Sequence, residues 1–208
     1  MKILNYEQGT PEWLASRAAK VTASMVSNVM AAPSTAAYQN YRAQIVSEIL
    51  TGKPQSEIFV TKDMEFGSEQ EKYARALYEI RHDVMVEQVG LVLHPYLENC
   101  AASPDGIVGE GLIEIKVPKV NTHIGYILDD KPPTKYHHQM IWQLACTGQQ
   151  WVDFVSFRPD LPENLQLFVS RFQRDDKAIA AMEDAVKKFF NDVDLVITKL
   201  KGKNGHSN

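Results

Sequence analysis

The chain has 208 residues, enough for one domain with a sizeable core, and its 44% hydrophobic and 23% charged content is that of an ordinary globular protein. No apolar run approaches the ~20 residues of a membrane-spanning helix, and residues 1–7 lack a hydrophobic leader core, so neither a membrane protein nor a secreted one is expected. The formal net charge of −4 argues against a broad basic face that wraps nucleic acid, and favours a compact local contact if there is one. The two cysteines, Cys100 and Cys146, sit in apolar contexts without metal-ligand spacing and read as buried free thiols of a reducing compartment.

In chain order, Thr10-Pro11 is an N-cap followed by proline at the first helical position, opening a short helix to about Arg17. Thr22 or Ser24 then caps a second helix to about Ala31, and residues 33–37 form a loop. A helix over residues 38–50 carries Tyr41, Ile45, Ile49 and Leu50 on one side and closes at Gly52. Asp63 caps a longer helix to about Arg81, with Phe66, Tyr73, Leu77 and Ile80 at helical spacing. Strands follow at 84–94, 98–103, 107–108 and 112–117, then a helix over 134–147 closed by Gly148, strands at 151–158 and 165–172, and a last helix over 175–199. Neither a repeat nor a linker interrupts the chain. The expectation is one α/β domain over residues 1–200, a mixed central β-sheet flanked by helices, with a polar, disordered tail at 201–208.

The densest chemistry lies in Ser103-Pro104-Asp105-Gly106, followed nine residues after the aspartate by Glu114-Ile115-Lys116. Gly109-Glu110-Gly111 is a hairpin turn signal, so Asp105 lies across the hairpin from Glu114. Side chains alternate along a strand, which puts Leu112, Glu114 and Lys116 on one face and Ile113, Ile115 and Val117 on the other. The isoleucine face reads as core, and the Glu/Lys face is expected to look into a cleft or solvent. Two carboxylates and an ammonium at one point can hold a divalent cation and a water against a phosphodiester. Taken alone, Glu-X-Lys is also what a solvated amphipathic strand carries.

Four blocks give the pattern a family. Residues 13–24 (Trp-Leu-Ala-Ser-Arg through Val-Thr-Ala-Ser), 66–71 (Phe-Gly-Ser-Glu-Gln-Glu), 103–116 and 136–143 occur in an order that resembles the exonucleases of phage recombination systems. These are the lambda-exonuclease or YqaJ-type viral recombinases, within the restriction-endonuclease-like PD-(D/E)XK nuclease fold. The resemblance runs from about residue 9 to the last helix and implies a fold, a reaction and a set of roles.

By that resemblance Asp105 and Glu114 are metal-binding carboxylates, the backbone carbonyl of Ile115 is a further ligand, and the ion is Mg²⁺, with Mn²⁺ as a substitute. Lys116 is the active-site lysine, which orients or deprotonates the attacking water or stabilises phosphate oxygens. Glu71 reaches the metal through water, and Gln139, or alternatively Gln143, positions the attacking water. Arg17 grips a 5′-terminal phosphate with Ser24 as hydroxyl partner, and a helix starting near Thr22 adds backbone N–H groups. Ser103 bonds near the scissile phosphate, and Met64 is the wedge that splits the terminal base pair. The segment 119–135 departs from the family pattern and reads as a rim loop. His94, His123, His137 and His138 suggest zinc only superficially, since no cysteine accompanies them.

The implied activity is a 5′→3′ exonuclease that digests one strand of linear double-stranded DNA and leaves 3′ tails for recombination by strand annealing. The implied assembly is a homotrimeric ring, with Lys119, Lys131 or Lys135 lining its channel, that serves a single-strand annealing protein in the cytoplasm of a bacterial or phage-infected cell. A structure-specific endonuclease of the same fold is the alternative. A silent DNA-binding module is disfavoured by the intact Asp105, Glu114 and Lys116.

Overall fold

The computed structural model describes residues 1–55 and 61–203. Its elements in chain order are β1 (Lys2–Leu4), α1 (Pro11–Arg17), β2 (Val21–Thr22), α2 (Val26–Met30), α3 (Ala36–Thr51), α4 (Lys62–His82), β3 (Leu91–Leu93), β4 (Cys100–Ala102), β5 (Gly106–Val108), β6 (Gly111–Lys116), α5 (Val120–Asp129), α6 (His137–Thr147), β7 (Trp151–Phe157), β8 (Leu167–Gln173) and α7 (Asp176–Lys203). Single 3₁₀ turns at Thr134–Tyr136 and Glu163–Leu165 join α5 to α6 and β7 to β8.

The strands form two four-stranded sheets, ordered β1-β3-β4-β2 and β5-β6-β7-β8. Both are mixed: β2 pairs in parallel with β4, and β6 with β7, while their other neighbours are antiparallel. The two sheets meet where β4 runs into β5 through Ser103, Pro104 and Asp105. The parallel β6–β7 step needs a crossover, which α5 and α6 supply.

Both faces of the second sheet are covered. Ile113, Ile115 and Val155 pack with Ala74 and Tyr78 of α4. On the opposite face Leu112, Val152 and Phe154 join the larger core, together with Met140, Trp142 and Leu144 of α6. Helix α7 closes that core with a stripe of Ile179, Met182, Val186, Phe189, Val193 and Ile197, spaced three and four residues apart.

Several expectations need correction. Val21 and Thr22, both β-branched, pair with Cys100 and Ala101, so Thr22 lies in a strand and caps nothing; α2 opens at Val26 without a side-chain cap. Helix α3 starts earlier, capped by Thr35, and buries Tyr38 and Val46 rather than Ile49 and Leu50, which are exposed. Helix α4 is capped by Thr61, not Asp63, and turns Tyr73 and Ile80 to solvent while burying Ala74 and Tyr78. Of the strand expected at 84–94 only Leu91–Leu93 forms, and β1 was not foreseen. The supposed rim loop contains α5, which buries His123 and Tyr126, one turn apart. Helix α7 continues to Lys203, into the expected tail; residues 204–208 lie outside the described residues.

Gly111 faces Trp151 in the β6–β7 register, and a Cβ added there would run into the indole, on which the Arg171 guanidinium stacks at 3.6 Å. Gly111→Ala is therefore expected to destabilise by about 1–3 kcal/mol, the usual cost of overpacking. Urea denaturation measures it, and a loss below about 0.5 kcal/mol would mean that the ring yields.

Candidate active site

Asp105 immediately precedes β5, and the antiparallel pairing of Gly106 with Ile113 sets it opposite Glu114. Its Oδ2 accepts the Ile115 backbone N–H at 2.6 Å, which locks the carboxylate to the strand carrying the other two charges. Glu114 faces neither an open cleft nor solvent, the two outcomes that the strand alternation suggests. Helix α6 lies over that face, and Glu114 is only 1% exposed. Its carboxylate is satisfied from three sides: Gln139 Nε2 donates to Oε1, Gln143 Nε2 to Oε2, and Lys116 Nζ pairs with Oε1. Gln139 and Gln143 stand one helical turn apart, so both reach one acceptor. The structure thus brings both glutamines to Glu114: Gln143 is buried, and Gln139 is half-buried.

The charges are out of balance. Burial first, and then the neighbouring Glu114, push the Asp105 carboxyl well above the ordinary carboxylate range. Glu71 is raised too, chiefly by burial and further by Glu114, against the pull of Lys116 and Arg75. Burial alone would lower Lys116, but Glu114 and Asp105 more than offset it and hold the ammonium above its ordinary lysine value. Three carboxylates therefore act on one lysine, with Arg75 offsetting Glu71 alone. Among the described residues no three His, Cys, Asp or Glu side chains converge tightly enough to hold a metal unaided. The available donors are the two carboxylates Asp105 and Glu114 and the Ile115 carbonyl. This all-oxygen set with excess negative charge fits a hard divalent cation whose shell is completed by water.

Helix α4 carries Glu71 and is anchored two turns further on, where the Tyr78 hydroxyl donates to Asp153 Oδ2 of β7 at 2.8 Å. Glu71, Ser68, Lys72, Arg75, Trp13 and Asp105 line one cleft of about 930 Å³. Met64 lies exposed in the first turn of the same helix.

A second recess adjoins α1. Thr10 caps this helix, its Oγ1 accepting the Trp13 N–H at 3.3 Å. The turn after it is held by buried Glu48, whose Oε2 accepts the N–H of Ala19 (φ +57°) at 2.7 Å. That turn folds Arg17 back on β2, so that Nη2 donates to Ser24 Oγ at 3.1 Å and Thr22 Oγ1 at 3.4 Å. The guanidinium also stacks on Trp13 at 4.2 Å and borders a cavity of about 140 Å³ with Lys20 and Gln44. Burial lowers the Arg17 pKa, opposed by Tyr41, yet a guanidinium stays charged at any working pH. Thr22 contributes its hydroxyl here, where a helix N-terminus had been expected. The Trp13 indole N–H donates to Ser103 Oγ at 3.1 Å, joining the recess to the Asp105 segment.

Trp13 and Tyr136 open two of the family blocks but, like Arg75, have no role assigned from the sequence. The Tyr136 ring lies 5.4 Å from Lys116 Nζ and stacks on Phe154. Only the one-turn spacing of Trp13 and Arg17 was a readable signal. Of the expected channel lysines, Lys135 sits over the rings of Tyr126 and Tyr136, and Lys119 makes an exposed pair with Asp63 at 3.7 Å. His123 is buried, bonded to Ser156 Oγ and the Leu165 carbonyl, while His94 faces Glu183. Cys100 and Cys146 are free and buried; burial pushes the Cys100 thiol up to about 12.

A hairpin bearing an aspartate on one arm and Glu-Ile-Lys on the other, beside a parallel strand and between helices, is the core of a PD-(D/E)XK fold. Residues 12–150 match the YqaJ-like viral recombinase domain, and the chain belongs to that family. It is 44% identical to the alkaline exonuclease LHK-Exo from Laribacter hongkongensis, over 94% of this chain and 98% of that one, with a TM-score of 0.87. The same protein in complex with dAMP superposes with a TM-score of 0.88. A phage-related exonuclease from Haemophilus somnus 129PT shares the fold at 16% identity, with a TM-score of 0.69 over 87% of this chain and 96% of that one. Uncharacterized protein R354 of Acanthamoeba polyphaga mimivirus is 28% identical over 183 residues, which are 81% of this chain but only 32% of that protein. No helix among the described residues is long and apolar enough to cross a membrane.

The raised Asp105 carboxyl has a consequence for stability without metal. Its folded-state pKa lies above the unfolded one, so between the two values only the folded state holds the proton, and stability falls as pH rises through that window. In EDTA, urea midpoints should decline as pH rises above the ordinary aspartate range of about 4, and Asp105→Asn should flatten the decline. An unchanged slope in the variant would assign the excess charge elsewhere.

Proposed function

We propose that this chain is a metal-dependent 5′→3′ exonuclease that digests one strand of linear double-stranded DNA and leaves 3′ single-stranded tails for annealing. The observation that carries the reading is one line of contact from a guanidinium-and-hydroxyl recess at Arg17, through Trp13 and Ser103, to the Asp105–Glu114–Lys116 centre. The 44% identity to an alkaline exonuclease supports the same chemistry. A Mg²⁺ ion, or Mn²⁺ in its place, held by Asp105, Glu114 and the Ile115 carbonyl would supply an activated water and offset charge building on the phosphate.

The residues' own tasks follow from their state. Gln139 and Gln143 fix the Glu114 carboxylate by donating one amide hydrogen to each of its oxygens. Lys116 is held as an ammonium by its carboxylate neighbours, so it donates to a phosphate oxygen or orients the water rather than accepting a proton. Glu71 reaches the centre from α4 through water. Arg17 binds a terminal phosphate through its fork, with Ser24 and Thr22 as hydroxyl partners. A terminal phosphate exposes more oxygens than an internal one, so this recess favours an end. Met64, exposed ahead of Glu71, acts in this reading as the wedge between the terminal bases. The reading includes a homotrimeric ring and hand-over of the tail to a single-strand annealing protein; family membership supports both.

The test compares linear duplex carrying a 5′-phosphate, linear duplex carrying a 5′-hydroxyl, and closed circular duplex, with Mg²⁺ and with EDTA. Wild type should degrade the phosphorylated linear DNA fastest, spare the circle and stop in EDTA. Arg17→Ala should lose at least about tenfold on the phosphorylated end and little on the hydroxyl end, as expected for one charge-assisted contact. Cutting of the closed circle would establish an endonuclease instead.

A further inference from the structure

We propose that Trp13 is a positioning residue that sets the length of the enzyme's step: one indole, clamped between the Arg17 guanidinium and the Ser103 hydroxyl, fixes the distance from the terminal-phosphate recess to the Asp105–Glu114 centre. The proposal rests on the exonuclease reading above and gives it a specificity element.

The clamp has two ends. Trp13 and Arg17 are one turn apart on α1, so their side chains lie together, and the guanidinium rests 4.2 Å from the ring. The stack takes one face of the cation out of water and leaves its edge directed at Ser24 and Thr22. At the far end the indole N–H, which can only donate, gives its hydrogen to Ser103 Oγ at 3.1 Å. The serine oxygen is therefore the acceptor, and its own hydrogen must point elsewhere. Among the described residues Ser103 Oγ has no other hydrogen-bond partner, so that O–H is available to a phosphate oxygen in the adjoining cleft.

What links Ser103 to Asp105 is short and stiff. Pro104 stands between them with its φ fixed by the ring, and its carbonyl accepts the Gln8 side-chain amide at 3.0 Å. Helix α1, in contrast, has no fully buried residue to anchor it. The position of Arg17 relative to the centre is thus set by side-chain contacts, and Trp13 is the one that touches both subsites. An indole is rigid, with two rotatable bonds, which suits a spacer. If the terminal phosphate sits in the recess and the scissile phosphate at the centre, the spacer decides how many nucleotides leave per cut.

Wild type, Trp13→Phe, Trp13→Leu, Ser103→Ala and the Trp13→Phe/Ser103→Ala double variant are assayed in Mg²⁺ on 5′-phosphate and 5′-hydroxyl linear duplex. Rate and product length are read on a denaturing gel, with thermal melting to confirm folding. Wild type should release mononucleotides. Trp13→Phe keeps a ring under Arg17 but loses the donor. It should therefore slow turnover about 5-fold, the loss of one neutral hydrogen bond, keep the phosphate preference, and cost nothing further in the Ser103→Ala background. Trp13→Leu should lose the phosphate preference and release dinucleotides mixed with mononucleotides. Mononucleotides alone from Trp13→Leu, with wild-type phosphate preference, would overturn the proposal, and so would additive losses in the double variant. If Trp13→Leu does not fold, the Trp13→Phe/Ser103→Ala cycle decides. A wild type that digests no linear duplex overturns the exonuclease reading and this step length with it, whereas a digesting wild type with unaltered Trp13 variants overturns only the step length.

Discussion

A single buried carboxylate organises this protein. Glu114 lies at 1% exposure on a strand covered on both faces, where an unpaired charge would be prohibitively costly. Its neighbours are therefore dictated: two glutamine amides from α6, one lysine from its own strand. Satisfying Glu114 fixes how α6 sits on the second sheet, and through α6 the packing of Met140, Trp142 and Leu144 in the main core. Removing one partner of such a buried pair commonly costs about 3–5 kcal/mol, so the centre and the fold cannot be altered independently.

The second constraint is the junction of the two sheets. Three residues carry the chain from β4 to β5, and they set Ser103, bonded to Trp13 of a surface helix, two positions from Asp105, bonded to Ile115 of a buried strand. The strand side is rigid, because Asp105 bonds the Ile115 N–H. The helix side is lighter, since α1 buries no residue completely and depends on its cap, on Glu48 and on the Trp13–Ser103 bond. A rigid reactive centre facing a surface-borne grip is a sensible division for a protein proposed to take a fresh DNA end at each turnover.

The parts legible in the sequence were those decided locally. Thr10-Pro11 started α1 as its cap chemistry requires, Gly52 and Gly148 ended helices at positive φ, and the Gly109 turn (φ +54°) set Asp105 against Glu114. What could not be read depended on distant partners. The Glu114 face reads as cleft or solvent, because a polar strand face carries no sign of what covers it, whereas α6 brings two amides that meet it. The segment 119–135 reads as a loop from its length and its Pro132-Pro133 pair, whereas the ten residues ahead of that pair form α5, which packs His123 on Ser156 and the Leu165 carbonyl and Tyr126 on the Phe154 ring. Tyr73 and Ile80 had helical spacing but point away from the sheet. The Trp13–Ser103 bond spans 90 positions, beyond any local pattern.

The central claim is that Asp105 and Glu114, overcharged beside one lysine, form a site for a divalent cation. Thermal unfolding of the intact protein titrated with Mn²⁺ or Mg²⁺ tests it without relying on catalysis. Wild type should gain about 2.7 kcal/mol once the metal reaches about 100 times its dissociation constant, and Asp105→Asn should gain nothing over the same range. Equal stabilisation of both proteins, or none in the wild type at millimolar metal, would contradict the account.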